Sequence, residues 1–165
     1  MNKLNYTEEI FNILSRGGFI SNNSVQARIK RYYDAIEDHQ AEYDEYYLGI
    51  GFHLEAGDGY FFFTRKETKV DLQRKLEAVS KWIDYLTFLK TYNSAFGSGL
   101  VFSAADIVVR INCDMELKDL AGKLFSEKKS YDEIVEKLIS ELERMGFVEQ
   151  QDEVEKTWKV LASFH

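Results

Sequence analysis

Proline is absent from this chain, against a usual share of about 5%. Pro-rich linkers are therefore excluded, and long uninterrupted helices are expected. Cysteine occurs once, as Cys113, so neither a disulfide framework nor a cysteine-based zinc site can form within one chain. The three histidines, His39, His53 and His165, are far apart and show no HxxxH or HExxH spacing. GxSxG and GxxxxGK[ST] are both missing, and Gly97 to Gly99 supply only GSG. Carboxylates are abundant, but nothing in their spacing separates an acid/base pair from surface charge. No apolar run approaches 18 residues, which excludes a transmembrane helix. The start, MNKLNYTEEIF, lacks the apolar stretch of a signal peptide, so a cytoplasmic protein is expected. Positive charge is in deficit: 21 Lys and Arg stand against 28 Asp and Glu, a net charge of −7. That argues against coating nucleic acid by bulk charge, though not against a local basic patch.

What is present is aromatic and apolar. Of the 165 residues, 45% are hydrophobic and 15% aromatic, enough to fill a core and to make disorder unlikely away from the ends. Residues 7–16 read as a helix with Ile10, Phe11 and Leu14 on one face, stopped by Gly17-Gly18. Phe19-Ile20 is a short extended piece. After Asn22-Asn23, the positions Val25, Ile29, Tyr32, Tyr33 and Ile36 mark a second helix. Asp38 is placed to cap a third, carrying Tyr43, Tyr46, Tyr47 and Ile50. Phe52, Leu54 and the run Tyr60–Phe63 then flank a Gly-Asp-Gly turn, which reads as a hairpin. One face of that run fills a core, and the other packs on the long helix or meets a partner. Helix, short strand, helix, helix, hairpin is the order of a winged helix.

Residues 67–92 read as one long helix. Leu72, Leu76, Val79, Ile83 and Leu86 form a coiled-coil-like seam beside a second stripe of Trp82, Tyr85, Leu89 and Tyr92. A helix apolar over so wide an arc joins two domains or meets a partner chain. Beyond the Gly/Ser loop at 93–99 the plan repeats in element order. Ser103–Asn112 is one helix, with Ile107, Val108 and Ile111 inward. Leu117, Leu120 and Leu124 mark another. Ser130 caps a third, with Ile134, Leu138, Leu142 and Met145, and a second hairpin joins Phe147-Val148 to Thr157–Leu161. The expected fold is α+β and mostly helical: two winged-helix domains, 1–66 and 93–165, joined by a long helix over 67–92.

Winged helices that read DNA place the third helix in the major groove, and phosphate contact there requires Lys and Arg. The first such helix carries Glu42, Asp44 and Glu45, with Asp38 at its start, and no base. The second has Asp132, Glu133, Glu136, Glu141 and Glu143 against Lys137 and Arg144. Sequence-specific reading of a duplex is disfavoured, and these are solvated faces or a surface for a basic partner. Basic residues gather elsewhere: Arg28, Lys30 and Arg31; Arg65, Lys66 and Lys69; Lys128 and Lys129; Lys156 and Lys159. The group at Arg65 follows the first hairpin, where it can graze a phosphate backbone. His39 and His53 are expected to be exposed, and Cys113 buried or half-buried.

The segments ILSRGGFIS (13–21), YDEYYLGIG (43–51) and LEAGDGYFFFT (54–64) resemble the first half of MukE/MksE-like proteins. These are the tandem winged-helix (KITE) subunits of bacterial condensin-like SMC complexes, with a similar pattern in the related Wadjet-type subunit. The resemblance implies a non-enzymatic, nucleoid-associated homodimer without cofactor or metal. It would bind the kleisin and, through it, an SMC ATPase, and assist DNA entrapment in chromosome organisation or plasmid defence. On that reading Tyr46, Tyr47 and Phe62 serve the dimer face, Trp82, Tyr85 and Tyr92 the kleisin, and Arg65, Lys66 and Lys69 the DNA backbone. A dimeric winged-helix transcriptional regulator is the rival.

Overall fold

A computed structural model of the chain describes residues 4–65, 69–127 and 130–164. Among these residues are seven helices and two three-stranded antiparallel sheets, an α+β arrangement dominated by helix. The first half runs α1 (Thr7–Leu14), β1 (Ile20–Ser21), α2 (Ala27–Asp38), α3 (Gln40–Leu48), β2 (His53–Ala56) and β3 (Tyr60–Thr64). Ile10 and Leu14 of α1, Ile29, Tyr32 and Ile36 of α2, and Tyr43 and Tyr47 of α3 are buried together. All follow the three- and four-residue spacing of one helix face. Gly17, at φ 84°, takes the left-handed conformation that ends α1.

Two local expectations need correction. Asp38 is still the last residue of α2, and the chain breaks at His39 (φ −140°, ψ 40°), so no side chain caps α3. Val25 precedes α2 and Ile50 follows α3, and both are exposed. Neither residue has a helical turn to carry it onto the buried face.

β3 is the middle strand, paired with β1 (Ile20 opposite Phe61) and with β2 (Leu54 opposite Phe63). Strand alternation sends Phe61 and Phe63 into the first core. Phe61 lies 5.0 Å from the ring of Tyr33, and Phe63 lies 4.9 Å from that of Tyr47. The opposite face carries Tyr60 and Phe62, with Phe19 at 5.7 and 5.9 Å. The Tyr60 ring lies across Gly57, where an added Cβ would sit 2.0 Å from it. Glycine is required there for the close approach.

The long helix α4 (Lys69–Tyr92) is two-faced. Tyr85, Phe88, Leu89 and Tyr92 are buried in the second core, with Trp82 and Leu86 packed at its edge. On the expected seam, Leu76, Val79 and Ile83 are 71%, 52% and 56% exposed. Glu67 lies outside the described residues, and the Leu72 side chain is likewise not described.

The second half continues with β4 (Val101–Ser103), α5 (Ala104–Cys113), α6 (Met115–Leu124), α7 (Tyr131–Arg144), β5 (Val148–Asp152) and β6 (Thr157–Val160). Each of its last three helices starts on a side-chain cap. Ser103 accepts from Asp106 N–H, Asp114 from Glu116 and Leu117, and Ser130 from Glu133. The sheet order is β4-β6-β5, matching β1-β3-β2 with the last strand central. β4, three residues long, has too few positions to announce a period and was not expected from sequence. Cys113 is exposed, contrary to expectation. It lies two residues beyond buried Ile111, about 200° around the helix.

Candidate interaction surfaces

Two features organise the surface: a polar clasp between the halves, and a groove beside it. The clasp starts from the loop Asn22–Gln26, between β1 and α2. Glu149, in β5, turns its carboxylate onto this loop. Ser24 Oγ lies 2.8 and 2.9 Å from its two oxygens, the Val25 N–H donates at 2.8 Å, and the Gln26 side-chain amide donates at 3.0 Å. Asn23 works the other side. Its carbonyl oxygen accepts the Ala162 N–H at 2.7 Å, and its amide donates to the Val160 carbonyl and to Ser98 Oγ, each at 3.3 Å. Ser24 is fully buried, so its hydroxyl needs this partner. Phe19 and Phe147, with ring centres 5.2 Å apart, add an apolar contact between the halves. Gly146 (φ 80°) lets the backbone at Phe19 approach, since an added Cβ would lie 3.3 Å from its nitrogen. None of these partnerships has a sequence signal. SNNS (21–24) reads only as a loop, and Glu149 as part of a hairpin.

The groove has a polar end and an apolar end. The polar end is a cleft of about 500 Å³ lined by Arg16, Arg28 and Arg144, with Glu9 and Glu143 beside them. The apolar end, about 390 Å³, shares Phe19, Arg16 and Arg144 and continues along Val79, Trp82, Met145 and Phe147. Trp82 stacks on Phe147 at 4.8 Å and meets Phe164 edge-on at 5.6 Å. Arg144 is paired with Glu141 at 2.7 Å. Arg16 and Arg28 are exposed and have no ion pair among the described residues.

The residues singled out from sequence divide sharply. Tyr46 is 55% exposed, but Tyr47 is fully buried and donates from its hydroxyl to the Thr7 carbonyl at 2.8 Å. It has no surface to offer another chain and instead backs Tyr46, whose ring meets it edge-on at 5.2 Å. Burial, with smaller contributions from Tyr43, Tyr46 and Glu9, raises the Tyr47 phenol far above its ordinary pKa. Phe62 is half-buried. Trp82 is partly covered, whereas Tyr85 and Tyr92 are core residues. Tyr92 donates to Asp106 Oδ2, and burial followed by that bond raises its pKa strongly. The ring faces of Tyr85 and Tyr92 are thus spent inside the chain. Among the described side chains of α4, the large apolar ones left exposed are Leu76, Val79 and Ile83 of the neighbouring seam.

Arg65 is exposed, its guanidinium 5.8 Å from the Phe52 ring centre. Lys69 is the first residue of α4. Lys66, Lys128, Lys129 and His165 lie outside the described residues. His39 and His53 are exposed. Asp44 is not simply solvated: it accepts the Leu54 N–H at 2.8 Å and lies 2.8 Å from His53 Nδ1, fastening α3 to β2. Among the described residues no group of three His, Cys, Asp or Glu is placed to hold a metal ion, and no helix is long and apolar enough to cross a membrane.

Sequence comparison adds one finding. The family described as condensin complex protein MksE matches this sequence over residues 5–165. No curated protein matches it.

Proposed function

The chain belongs to the MksE family of condensin complex proteins, and from that premise we propose a non-enzymatic adaptor. It is a homodimer, each chain a pair of winged-helix units, that binds the kleisin of a bacterial SMC complex and assists entrapment of DNA at the nucleoid. The observation that carries this reading is the seam Leu76, Val79 and Ile83, which its own chain leaves uncovered. Large exposed apolar side chains at helical spacing are what a partner covers. The winged-helix assignment is supported by two sheets of one topology, each completed by a hairpin that follows a set of helices.

The dimer face uses Tyr46 and Phe62, with Tyr47 supporting Tyr46 from within. DNA contact runs through Arg65, Lys66 and Lys69 to phosphates, without base reading. The carboxylates of α3 and α7, exposed at Glu42, Glu45, Asp132, Glu133 and Glu136, disfavour the rival transcriptional regulator.

Light scattering of the purified chain, then affinity capture from its own cells with mass spectrometry, tests the proposal. A dimer that retains a kleisin and an SMC ATPase supports it. A dimer that retains neither, yet protects one specific duplex site from nuclease, replaces it with the regulator. Deletion of the gene separates the two roles of such complexes: chromosome-segregation defects point to one, and improved plasmid retention to the other.

A further inference from the structure

The buried apolar side chains form two separate clusters, one in each half. Between the halves lies the Phe19–Phe147 contact, flanked by clefts of about 500 and about 300 Å³. The bonds that join the halves are polar. Asn23, Ser24, Val25 and Gln26, consecutive in one loop, supply the first half's side of the bonds to Ser98, Glu149, Val160 and Ala162. Moving that loop breaks them together, and water can replace each partner. A contact so polar and so sparsely filled opens at lower cost than either core unfolds.

Ser21 acts against the clasp. It stands opposite Tyr60 in the first sheet, and alternation with Ile20 turns its side chain away from the first core. It borders the smaller cleft, together with Gly146, Val148 and Leu161 of the second half. The residue is 1% exposed, and its hydroxyl has no hydrogen-bond partner among the described residues. Buried hydroxyls are nearly always paired, and an unpaired one costs free energy that contact with water restores. Docking thus bonds the Ser24 hydroxyl and leaves the Ser21 hydroxyl unanswered. Two serines three residues apart pull one equilibrium in opposite directions.

We propose that the docked arrangement is the major one of two native states, and that the clasp is a latch that opens and closes as a unit while both cores stay folded. Glu149 and Asn23 hold the closed state. The unpaired Ser21 hydroxyl lowers the cost of leaving it and so sustains a minor open population. Opening takes the clefts apart, since Arg16 and Phe19 move with the first half and Arg144 and Phe147 with the second. A ligand that touches both walls closes the chain, and one that needs either face bare opens it, in proportion to its differential affinity. The latch requires no partner, so it stands or falls apart from the adaptor reading.

Native-state hydrogen exchange on the full chain tests this, under conditions where reclosing outruns chemical exchange. The Val25 N–H, held by Glu149, and the Ala162 N–H, held by Asn23, report the latch. The amide of buried Leu138 in α7 reports the second core. Val25 and Ala162 should share one opening constant, at least about tenfold larger than that of Leu138. Ser21→Ala removes the unpaired hydroxyl and should slow exchange at both about tenfold, about 1.4 kcal/mol. Glu149→Ala should speed exchange at Ala162, which Glu149 does not touch, by at least about tenfold. Ile107→Val, in the second core, destabilises closed and open states alike. It should speed exchange at Leu138 and leave Val25 and Ala162 unchanged. Three results each overturn the proposal: latch amides that exchange no faster than Leu138, so that the halves part only on unfolding; unequal opening constants at Val25 and Ala162; or exchange in Ser21→Ala that is unchanged or faster.

Discussion

Glu149 accepts more hydrogen bonds across the two halves than any other described side chain, all from three consecutive residues, Ser24, Val25 and Gln26. Replacing it with alanine strands the buried Ser24 hydroxyl and the donors around it. A loss of about 2 kcal/mol is expected, read as a lower urea midpoint. Glu149→Gln, which keeps an acceptor for Ser24, should lose less. Equal midpoints for wild type and Glu149→Ala would mean that the clasp contributes nothing. The tyrosines support a pH prediction. Burial raises the phenols of Tyr33, Tyr43, Tyr47, Tyr85 and Tyr92 above their ordinary value of 10.0. Above that pH the unfolded chain releases protons that the folded chain keeps, so the unfolded state binds fewer and stability falls as pH rises. The stabilisation is complete below pH 10 and erodes above it. Denaturation midpoints between about pH 9 and pH 11 should decline, less steeply for Tyr47→Phe. A flat profile would contradict the burial argument.

At the scale of one element, α4 shows what periodicity can and cannot tell. Both of its stripes were readable as apolar, and both lie on one helix as the spacing requires. Which stripe is covered was not readable, because that depends on where the second core sits. The core took Tyr85, Phe88, Leu89 and Tyr92 and left Leu76, Val79 and Ile83 outside. Tyr85 and Tyr92, proposed for a partner, are therefore core, and of the two stripes it is the aliphatic seam that is left at the surface. The two faces should respond oppositely to mutation. Phe88→Ala removes a fully buried ring and should cost about 3–5 kcal/mol. Ile83→Ser should change stability by no more than about 0.5 kcal/mol while weakening partner capture. Chemical denaturation and affinity capture on the same pair of variants decide this, and a strongly destabilised Ile83→Ser would place the seam in the core.

For the whole molecule, the clasp decides whether the two halves act as one body. The contact is mostly polar and has clefts beside it, the kind of interface across which domains move unless specific bonds hold them. Spin labels on Asn12 and Glu136, both exposed, should report one narrow distance in wild type. In Glu149→Ala they should report a broader distribution. An equally narrow distribution in Glu149→Ala would mean that the clasp does not hold the halves together.

The amino-acid sequence by itself determined the order of the helices and hairpins, most helix faces, the cap at Ser130 and the family to which the chain belongs. These depend on neighbours within a few residues, and spacing, capping chemistry and turn residues record such neighbours directly. Tertiary structure alone decided that Asn23 and Ser24 meet residues more than 120 positions away, that β4 exists as the partner of β6, and that Tyr47, Tyr85 and Tyr92 are spent inside. Arg16, Arg28 and Arg144, far apart in sequence, line one cleft for the same reason. Contacts between residues distant in sequence leave no local pattern, since they arise only when two preformed faces find each other and exclude water between them.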